Sequence, residues 1–347
     1  MTSILRHPIK SRATWTGAQF NASQDWIHQL DRDELAEIDS ALSVVKSRGC
    51  ELFDISSDDF PLPELGARLA EVRDELDQGR GFHLFRGLPI ARYRLQEARL
   101  IFWGLAQHLG KPEPQDGAGS LMHDVCDTGQ SVRHTPNVRG FQTSNELQFH
   151  NDGGDAFLLL CLQVAKSGGT SKLASVAALF NRVLELRPDL AEVLQRPFHF
   201  DARQQQPSGL PMVQVVPILL WYGARMHVIY KRGYIKTAQR FEQVPRLSAL
   251  QSEALDLIDR ICGDPGFCLS FEMQPGDIQF GSNHSVLHSR TEYVDHDEIA
   301  KQRHLLRVWL TLPNGRPLPP EFKLTREFAH TYARRHAESL ETSPVRP

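Results

Sequence analysis

Apolar positions in the first third of the chain recur at helical spacing, and this pattern predicts a helical N-terminal region. Four apolar residues lie three or four positions apart, and a glycine follows where a helix would end: Leu35, Ile38, Leu42, Val45 and Gly49. The same spacing predicts further helices near residues 65–76 and 95–109. Residues 82–86 lie between glycines and are predicted to form a short strand.

From about residue 144 onward the pattern changes to short apolar runs separated by turns, which predicts β-strands. These runs cover residues 157–164, 171–174, 211–221, 225–230, 268–273, 277–280, 285–290 and 304–312. Two helices are predicted among them, at 176–186 and 249–261, and Ser248 and Gln251 form a capping box before the second. Short strands with long insertions suit a jelly roll. The predicted fold class is therefore mainly β with flanking helices around a double-stranded β-helix (jelly roll, cupin-like) core.

The chain has no linker rich in proline, glycine or serine, so we predict one domain over residues 1–347. Within it, residues 1–80 are expected to form a helical buttress for one sheet. Residues 81–312 are expected to form the jelly-roll core with helical insertions. Residues 313–347 are left as a C-terminal extension.

Charge and hydropathy exclude several classes of protein. The net charge is −3, so the chain has no basic field to hold nucleic acid or anionic lipid. No apolar stretch reaches the roughly eighteen residues that a membrane span needs. The N-terminal residues lack the charged-then-apolar order of a signal peptide. We expect a small-molecule substrate, with neither nucleic acid nor membrane as a partner. The sequence leaves open whether the protein forms a homo-oligomer.

The cysteines indicate a reducing compartment. They are five in number and show no CxxC spacing: Cys50, Cys126, Cys161, Cys262 and Cys268. This argues against a disulfide framework or a zinc site. We therefore predict a cytoplasmic location.

The first candidate for chemistry is His150-Asn151-Asp152. On a strand, residues two apart point to the same face, so His150 and Asp152 could bind one ion together. The alternative is a polar strand end, and with fifteen histidines one His-x-Asp is expected by chance. Two imidazoles and one carboxylate are typical of non-haem iron(II) sites, so a second histidine is needed.

His288 is the candidate for that second histidine. The alternative is a buried core residue whose ring nitrogens have hydrogen-bond partners. Residues 275–280 predict a turn and a strand, and the strand after them carries His288, so a hairpin could bring it beside His150. His284 is the competing ligand. Four other histidines have no partner at ligand spacing and are predicted to be structural or exposed: His83, His123, His227 and His304.

Two arginines lie four positions apart in the last predicted strand. Arg303 and Arg307 therefore share one face, with Leu305 between them. Inward guanidinium groups are costly to bury without anions. They could pair with an internal carboxylate, or they could bind carboxylates of ligands, which the planar guanidinium holds through two hydrogen bonds.

In residues 81–312 the chain resembles the TauD/TfdA-type (taurine dioxygenase-like) iron(II) and 2-oxoglutarate-dependent dioxygenases. The resemblance depends on five blocks in this order: GFHLFRGLPI, NELQFHND, SGGTSKLAS, PGDIQFGSNHSVLHSR and RHLLRVWL. It implies that His150, Asp152 and His288 hold iron(II). It also implies that Arg303 binds the distal carboxylate of 2-oxoglutarate, that Arg307 binds an acidic group of the substrate, and that O2 is a co-substrate.

The resemblance also implies a hydroxyl group after the Gly-Gly turn that contacts 2-oxoglutarate. Ser171 occupies that position, where the family usually has threonine, and Thr170 precedes it. Strand alternation lets only one of the two face inward. The sequence leaves open which one.

The expected function is oxidation, by hydroxylation, of an unactivated C–H bond in a small anionic metabolite, with release of succinate and CO2. The alternatives are desaturation or ring closure by the same chemistry, or a metal-containing jelly roll that only binds a ligand. Related halogenases lack the carboxylate ligand, so Asp152 argues against halogenation. The predicted pocket for this anionic substrate combines Arg307 with Arg225, Arg232, Tyr230 and Tyr234. The alternative is that these side chains form a solvent-exposed face of the protein.

Overall fold

In the part of the chain that the structure describes, strands from both halves form two main sheets and three two-stranded sheets, and helices cover the outer faces of the two main sheets. The computed structural model describes residues 4–20, 23–129, 140–206, 209–313 and 315–341. In these residues the strands are β1 Ile27–Gln29, β2 Phe82–Arg86, β3 Lys111–Glu113, β4 Met122–Val125, β5 Leu147–His150, β6 Ala156–Gln163, β7 Ser167–Gly168, β8 Ser171–Ser175, β9 Pro197–Asp201, β10 Val213–Pro217, β11 Leu219–Tyr222, β12 Arg225–Val228, β13 Leu269–Phe271, β14 Ile278–Ser282, β15 Val286–Arg290, β16 Tyr293–Val294 and β17 His304–Thr311. The α-helices are α1 Arg32–Arg48, α2 Leu65–Gln78, α3 Leu95–Leu109, α4 Val176–Leu186, α5 Pro188–Val193, α6 Arg232–Ala238, α7 Ala249–Gly263 and α8 Ala329–Glu341.

The larger sheet has the order β1-β2-β14-β6-β17-β3, and β4 also pairs with β17. The smaller sheet has the order β13-β8-β15-β5. Apolar side chains from both sheets meet in one buried cluster, which includes Phe82, Phe157, Leu173, Val286 and Trp309. This two-sheet arrangement agrees with the predicted fold class, although both sheets are open.

Strand β17 shows how the sequence alternates between the two faces of the larger sheet. Leu306, Val308 and Leu310 pack in the cluster that contains α1, α2 and α3. The residues between them point the other way, toward the smaller sheet, because successive strand residues alternate. The side chain of Arg307 therefore lies between the two main sheets.

The predicted helices have the ends that their sequences indicate. Helix α1 begins with a capping box between Asp31 and Glu34, and it ends at Gly49, whose φ of 65° is the left-handed conformation that glycine accepts without strain. Helix α7 begins with the predicted capping box of Ser248 and Gln251. The predicted helices at 65–76, 95–109 and 176–186 are confirmed as α2, α3 and α4.

Two strand predictions were wrong in detail. The run at 211–221 is not one strand, because it divides at Ile218 into β10, which pairs with β9, and β11, which pairs with β12. The strand before His288 does not form a hairpin with the strand that carries it. Strand β14 pairs with β2 and β6 in the larger sheet, whereas β15 pairs with β5 and β8 in the smaller one. The chain between them crosses from one sheet to the other.

The residues after β17 return to the centre of the molecule. The backbone N–H of Gly154 donates to the carbonyl of Glu327 at 2.8 Å, which fixes this segment beside the loop that follows β5. Phe328 is fully buried and stacks on His284 with ring centroids 4.9 Å apart. Among the described residues, no helix is both long and apolar enough to cross a bilayer.

Candidate active site

Two neighbouring side chains and a third that is distant in sequence meet at one point between the two main sheets. His150 is the last residue of β5, Asp152 follows it by two positions, and His288 lies opposite His150 in the pairing of β15 with β5. The two Nε2 atoms are 2.9 Å apart, and they lie 4.0 Å (His150) and 3.8 Å (His288) from the Asp152 carboxylate oxygens. In the part of the chain that the structure describes, this is the one group of His, Cys, Asp or Glu side chains with metal-binding geometry.

The protonation states suit a divalent cation. The carbonyl of Gln148 lies 2.8 Å from Nδ1 of His150, so that nitrogen carries the proton and Nε2 presents a lone pair. Burial lowers the pKa of His150 to about 4, and burial together with the nearby His150 lowers that of His288. Both rings are therefore neutral near pH 7. Nε2 of His288 faces the Nε2 lone pair of His150 at 2.9 Å, so one cation could bind both nitrogens.

The Asp152 carboxylate is held in its charged form. Burial alone would raise its pKa, but the positive charge of the Arg307 guanidinium holds the pKa below its usual range. Nη1 of Arg307 lies 3.1 Å and 3.3 Å from the two carboxylate oxygens. Nε of Arg307 donates to the amide oxygen of Gln115 at 2.7 Å, so a second buried contact fixes the guanidinium. The internal salt bridge considered from sequence is present at Arg307.

A buried asparagine from the crossing between the sheets positions the loop of Asp152. The side-chain oxygen of Asn283 accepts from the backbone N–H of Asp152 at 3.0 Å, and its side-chain nitrogen donates to the carbonyl of Gly153 at 2.6 Å. A Cβ atom at Gly153 would lie 2.7 Å from the ring of Trp309, so only glycine fits there. Sequence reasoning missed Asn283, although it lies in one of the blocks that carry the family resemblance.

A small cavity of about 50 Å³ adjoins the three candidate ligands on one side. Arg303, Ser171, Arg290 and His288 contribute to its wall. Arg303 is buried, and its Nη1 has no hydrogen-bond partner among the described residues. Its guanidinium lies 5.2 Å from the ring centre of Tyr293, which is not an anion. A buried cation without such a partner is suited to a carboxylate brought by a ligand.

The two hydroxyl groups after the Gly-Gly turn point in different directions. Ser171 is buried and lines the small cavity. The hydroxyl of Thr170 donates to Glu272 at 2.5 Å and is not among the groups that line the cavity. Gly169 has a φ of 80°, and a Cβ atom there would lie 3.3 Å from Nε of Arg303. The Gly-Gly turn therefore leaves room for the arginine.

Arg290 is a third buried arginine in the wall of the small cavity, beside Arg303 and Arg307, and sequence reasoning missed it. Its guanidinium donates to the carbonyls of Thr143 and Asn145, which precede β5. Burial and the nearby Arg303 lower the pKa of Arg290 to about 10, which leaves it charged near pH 7. Because both backbone acceptors belong to the segment leading to His150, Arg290 ties that segment to β15.

A second cavity of about 870 Å³ lies on the other side of the candidate ligands. It shares His150, Asp152 and Arg307 with the small cavity. Its other cationic side chains are Arg203, Lys231, Arg232, Arg240 and Arg326. Of these, only Arg232 was expected from the sequence, because the others come from segments with no recognisable motif.

The pocket residues predicted from the sequence are only partly correct. Arg232 and Tyr234 line the large cavity. Arg225 and Tyr230 do not, because Arg225 donates to the carbonyl of Asp77 and Tyr230 donates to Asp259, each at 2.5 Å.

The other histidines lie outside the candidate metal centre. His284, the competing ligand, lies 2.9 Å from the Asp155 carboxylate and belongs to a separate buried contact. His123 and His304 pair with Asp116 and Asp124. His83 and His227 are absent from the group with metal-binding geometry.

Comparison with known proteins identifies the family. A sequence model described as "Taurine catabolism dioxygenase TauD, TfdA family" matches residues 46–309. The FR-33289 synthase of Streptomyces rubellomurinus (strain ATCC 31215) is 29% identical over 332 residues, which cover 94% of this chain and 97% of that protein. The taurine hydroxylase-like protein SAT17 of Stachybotrys chartarum (strain CBS 109288 / IBT 7711) is 31% identical over 310 residues, which cover 86% of this chain and 79% of that protein.

Solved structures show the same fold at lower identity. An asparagine oxygenase crystallised with Fe(II), hydroxyasparagine and succinate has a TM-score of 0.64 and 19% identity, covering 83% of this chain and 93% of that one. The non-haem iron oxygenase OrfP has a TM-score of 0.60 and 16% identity, covering 82% and 94%. These likenesses confirm the predicted mainly β, jelly-roll fold class. The chain therefore belongs to the TauD, TfdA family, and it is an iron(II)- and 2-oxoglutarate-dependent dioxygenase.

Proposed function

We propose that His150, Asp152 and His288 bind the iron(II), with the small cavity for 2-oxoglutarate on one side and the large cavity for the substrate on the other. The observation that carries this proposal is the convergence of two neutral imidazoles and one carboxylate where the two cavities meet. Bound iron(II) would supply the coupling of 2-oxoglutarate decarboxylation by O2 to substrate oxidation. The side chains around the iron site would bind 2-oxoglutarate and the substrate.

In the small cavity, Arg303 would bind the distal carboxylate of 2-oxoglutarate and Ser171 would donate a hydrogen bond to it. Three observations support these roles: the Arg303 guanidinium is buried, its Nη1 has no partner among the described residues, and Ser171 shares the cavity wall. A charge-assisted pair inside the protein is stronger than the same pair in water. Gly169 supports this site, because it leaves space beside Nε of Arg303.

In the large cavity, the substrate would be a small anionic metabolite that is hydroxylated at a C–H bond. The cations of its wall favour negative charge, and Arg307 lies between the candidate metal centre and the cavity. Arg307 would both orient Asp152 and attract an acidic group of the substrate. Asp152 supplies a carboxylate ligand, and this favours hydroxylation over halogenation.

The test is an anaerobic titration of the protein with iron(II) and then 2-oxoglutarate, followed by visible absorption. We expect the metal-to-ligand charge-transfer band of the chelated 2-oxo acid, and we expect Asp152→Ala to lose it. A wild-type protein without the band would overturn the assignment of the ligands. A screen of small acids for substrate-dependent succinate release would then find the substrate, and product analysis would separate hydroxylation from desaturation or ring closure.

We also propose a reducing compartment, the cytoplasm, as the location. All five cysteines are free thiols, and three of them are buried, which is usual where thiols stay reduced. Fractionation of cells that produce the tagged protein tests this. Recovery in a membrane or secreted fraction would contradict it.

A further inference from the structure

Gln279 places a buried amide on the inner face of the larger sheet. Its neighbours in β14, Ile278 and Phe280, pack in the cluster that contains α1, α2 and α3. Gln279 therefore points the other way, into the space between the two main sheets, because successive strand residues alternate. It is only 2% exposed, although glutamine is rarely buried so completely.

The two residues that pair with Gln279 across the larger sheet are leucines. Leu84 in β2 lies on one side of it, and Leu159 in β6 lies on the other. Leu84 belongs to the apolar cluster between the sheets, and Leu159 packs against that cluster. An apolar residue at position 279 would extend this surface, so the packing of the sheet does not require an amide.

The amide of Gln279 is not satisfied within the part of the chain that the structure describes. Neither Oε1 nor Nε2 has a hydrogen-bond partner among those residues. Such a group costs free energy, and most buried polar groups in proteins are paired. Oε1 is enclosed, so Nε2 is the amide atom left to face the cavity. A ligand with an acceptor atom would pair it.

Gln279 and Ser171 lie at the same level in opposite walls of the small cavity. The two sheets touch beside the candidate metal centre, where the rings of Phe157 and His288 have their centres 4.2 Å apart. Two residues after Phe157 is Leu159, which pairs with Gln279. In the smaller sheet, one step from the pairing of His288 brings the chain to Ser171.

Both steps lead toward Arg303. In the larger sheet, β17 runs from Arg307, which pairs with β6, back toward Arg303. In the smaller sheet, β8 follows Gly169, which lies beside Nε of Arg303. Gln279, Ser171 and Arg303 all line the small cavity. A ligand carboxylate at this end of the cavity could contact all three side chains.

We propose that Gln279 is a further contact for 2-oxoglutarate in this enzyme, and that Nε2 donates to the distal carboxylate beside Arg303 and Ser171. A carboxylate has about four sites that accept hydrogen bonds, so it can accept from all three side chains. The amide adds a directional donor without adding another buried charge beside the arginines. This inference rests on the proposed function, because it takes the small cavity as the 2-oxoglutarate site.

A structural role makes a different prediction for stability. If Gln279 supported the sheet, its replacement would lower the melting temperature of the protein without ligands. If it serves the ligand, replacement by methionine removes an unpaired buried amide and keeps the length of the side chain. The free protein should then keep or gain stability while its affinity for 2-oxoglutarate falls.

The experiment is an anaerobic titration of the full-length protein, loaded with iron(II), with 2-oxoglutarate and with 2-oxovalerate. The second acid has the same chain length but a methyl group in place of the distal carboxylate, and the charge-transfer band reports the binding of both. Gln279→Met should weaken 2-oxoglutarate binding by about tenfold, because a charge-assisted hydrogen bond is lost, and should leave 2-oxovalerate binding unchanged. Thermal unfolding without iron or ligand should show no loss of stability.

Gln279→Glu should weaken 2-oxoglutarate binding further, since the new carboxylate would pair with Arg303 and repel the distal carboxylate. Gln107→Met is the matched control. Nε2 of Gln107 is also enclosed without a partner among the described residues, but Gln107 lies in α3 and does not line the small cavity. Its replacement should change neither titration.

Unchanged 2-oxoglutarate affinity in Gln279→Met, or equal weakening for both acids, would remove the contact from Gln279. If Gln279→Met does not fold, Gln279→Asn decides, because the shorter side chain withdraws the donor and should weaken only 2-oxoglutarate binding. If 2-oxovalerate binds too weakly to saturate, weaker 2-oxoglutarate binding with undiminished thermal stability supports the contact, and a lower melting temperature contradicts it.

The wild-type titration keeps this test separate from the proposed function. A wild-type protein that shows the band, matched by Gln279→Met at every concentration, keeps the iron and 2-oxoglutarate sites and loses the role of Gln279. A wild-type protein that never shows the band loses the proposed metal ligands, and the contact of Gln279 is lost with them.

Discussion

The small cavity and the large cavity share four lining residues, yet most of each wall comes from different parts of the chain. Most of the small cavity's wall comes from paired strands, with Ser171 on β8, His288 on β15 and Arg307 on β17. Much of the large cavity's wall comes from the turn at Arg203, from helix α6 and from Arg326 in the segment between β17 and α8. Strand pairing fixes the first, whereas loops that can vary without disturbing the sheets form the second.

This difference separates what is common to the family from what is particular to this chain. Most strand residues of the small cavity lie in the blocks that carry the family resemblance, and Val125 and Leu159 are the exceptions. The cations of the large cavity lie mostly outside those blocks. We expect variants of the small cavity to affect every substrate equally, and variants of the large cavity to change which anion is accepted.

The largest effect is expected at Asp152, which belongs to both cavities. Asp152→Asn keeps the shape of the side chain but removes the charge, so iron(II) affinity and succinate formation should fall more than about a hundredfold. Arg307 would also lose its buried partner, at roughly 3–5 kcal/mol of stability. The measurements are the charge-transfer band, succinate release and thermal unfolding. Asp59→Asn, in a surface pair with Arg48, is the control, and near-normal turnover in Asp152→Asn would contradict the ligand assignment.

A smaller effect, confined to the small cavity, is expected at Arg303. Arg303→Ala should raise the KM for 2-oxoglutarate by a factor of about thirty or more, since losing one partner of a buried charge pair costs roughly 2–5 kcal/mol. The test is succinate formation against 2-oxoglutarate concentration. Unchanged affinity for 2-oxoglutarate would remove the role of Arg303.

The adjacent hydroxyl groups provide a matched pair. Ser171→Ala should raise the KM for 2-oxoglutarate about fivefold, because one hydrogen bond of about 1 kcal/mol is lost. Thr170→Ala should leave this KM unchanged, since its hydroxyl bonds to Glu272 outside the cavity. The reverse result would assign the contact to Thr170 and would show that the strand faces the cavity in the other register.

The smallest effect is expected at Gly169. Gly169→Ala places a side chain in a left-handed conformation and moves Arg303 by a few tenths of an ångström. It should cost about 1 kcal/mol of stability and raise the KM for 2-oxoglutarate about two- to threefold. Gly263→Ala is the control, because a Cβ atom there would have nothing within 4 Å. Equal behaviour of the two variants in 2-oxoglutarate kinetics would show that the turn does not support Arg303.

The sequence predicted the parts of the fold that depend on local patterns. Helix α1 has its capping box and its terminal glycine, so its ends could be located from a few residues. Strands β14 and β15 were recognised, but their assignment to different sheets was missed. Which strands pair depends on contacts distant in sequence, and turn residues alone do not indicate whether the chain returns to the same sheet.

The same limit applies to the site. His150, Asp152 and His288 were chosen from spacing and resemblance, and the structure brings them together. Lys231 and Arg326 could not be found in this way, because a single lysine or arginine in a segment without a motif has no signal that separates it from a surface charge. Only their common position in the wall of the large cavity distinguishes them.

Arg326 lines the large cavity, and the hydrogen bond from Gly154 to Glu327 holds the segment after the last strand in place beside it. An exchange of residues 325–328 between relatives would alter the chamber wall while all three candidate iron ligands stayed in place. Such an exchange could therefore change the substrate specificity while the candidate iron ligands stay the same. For protein engineering, this makes the segment a more promising target than the strands.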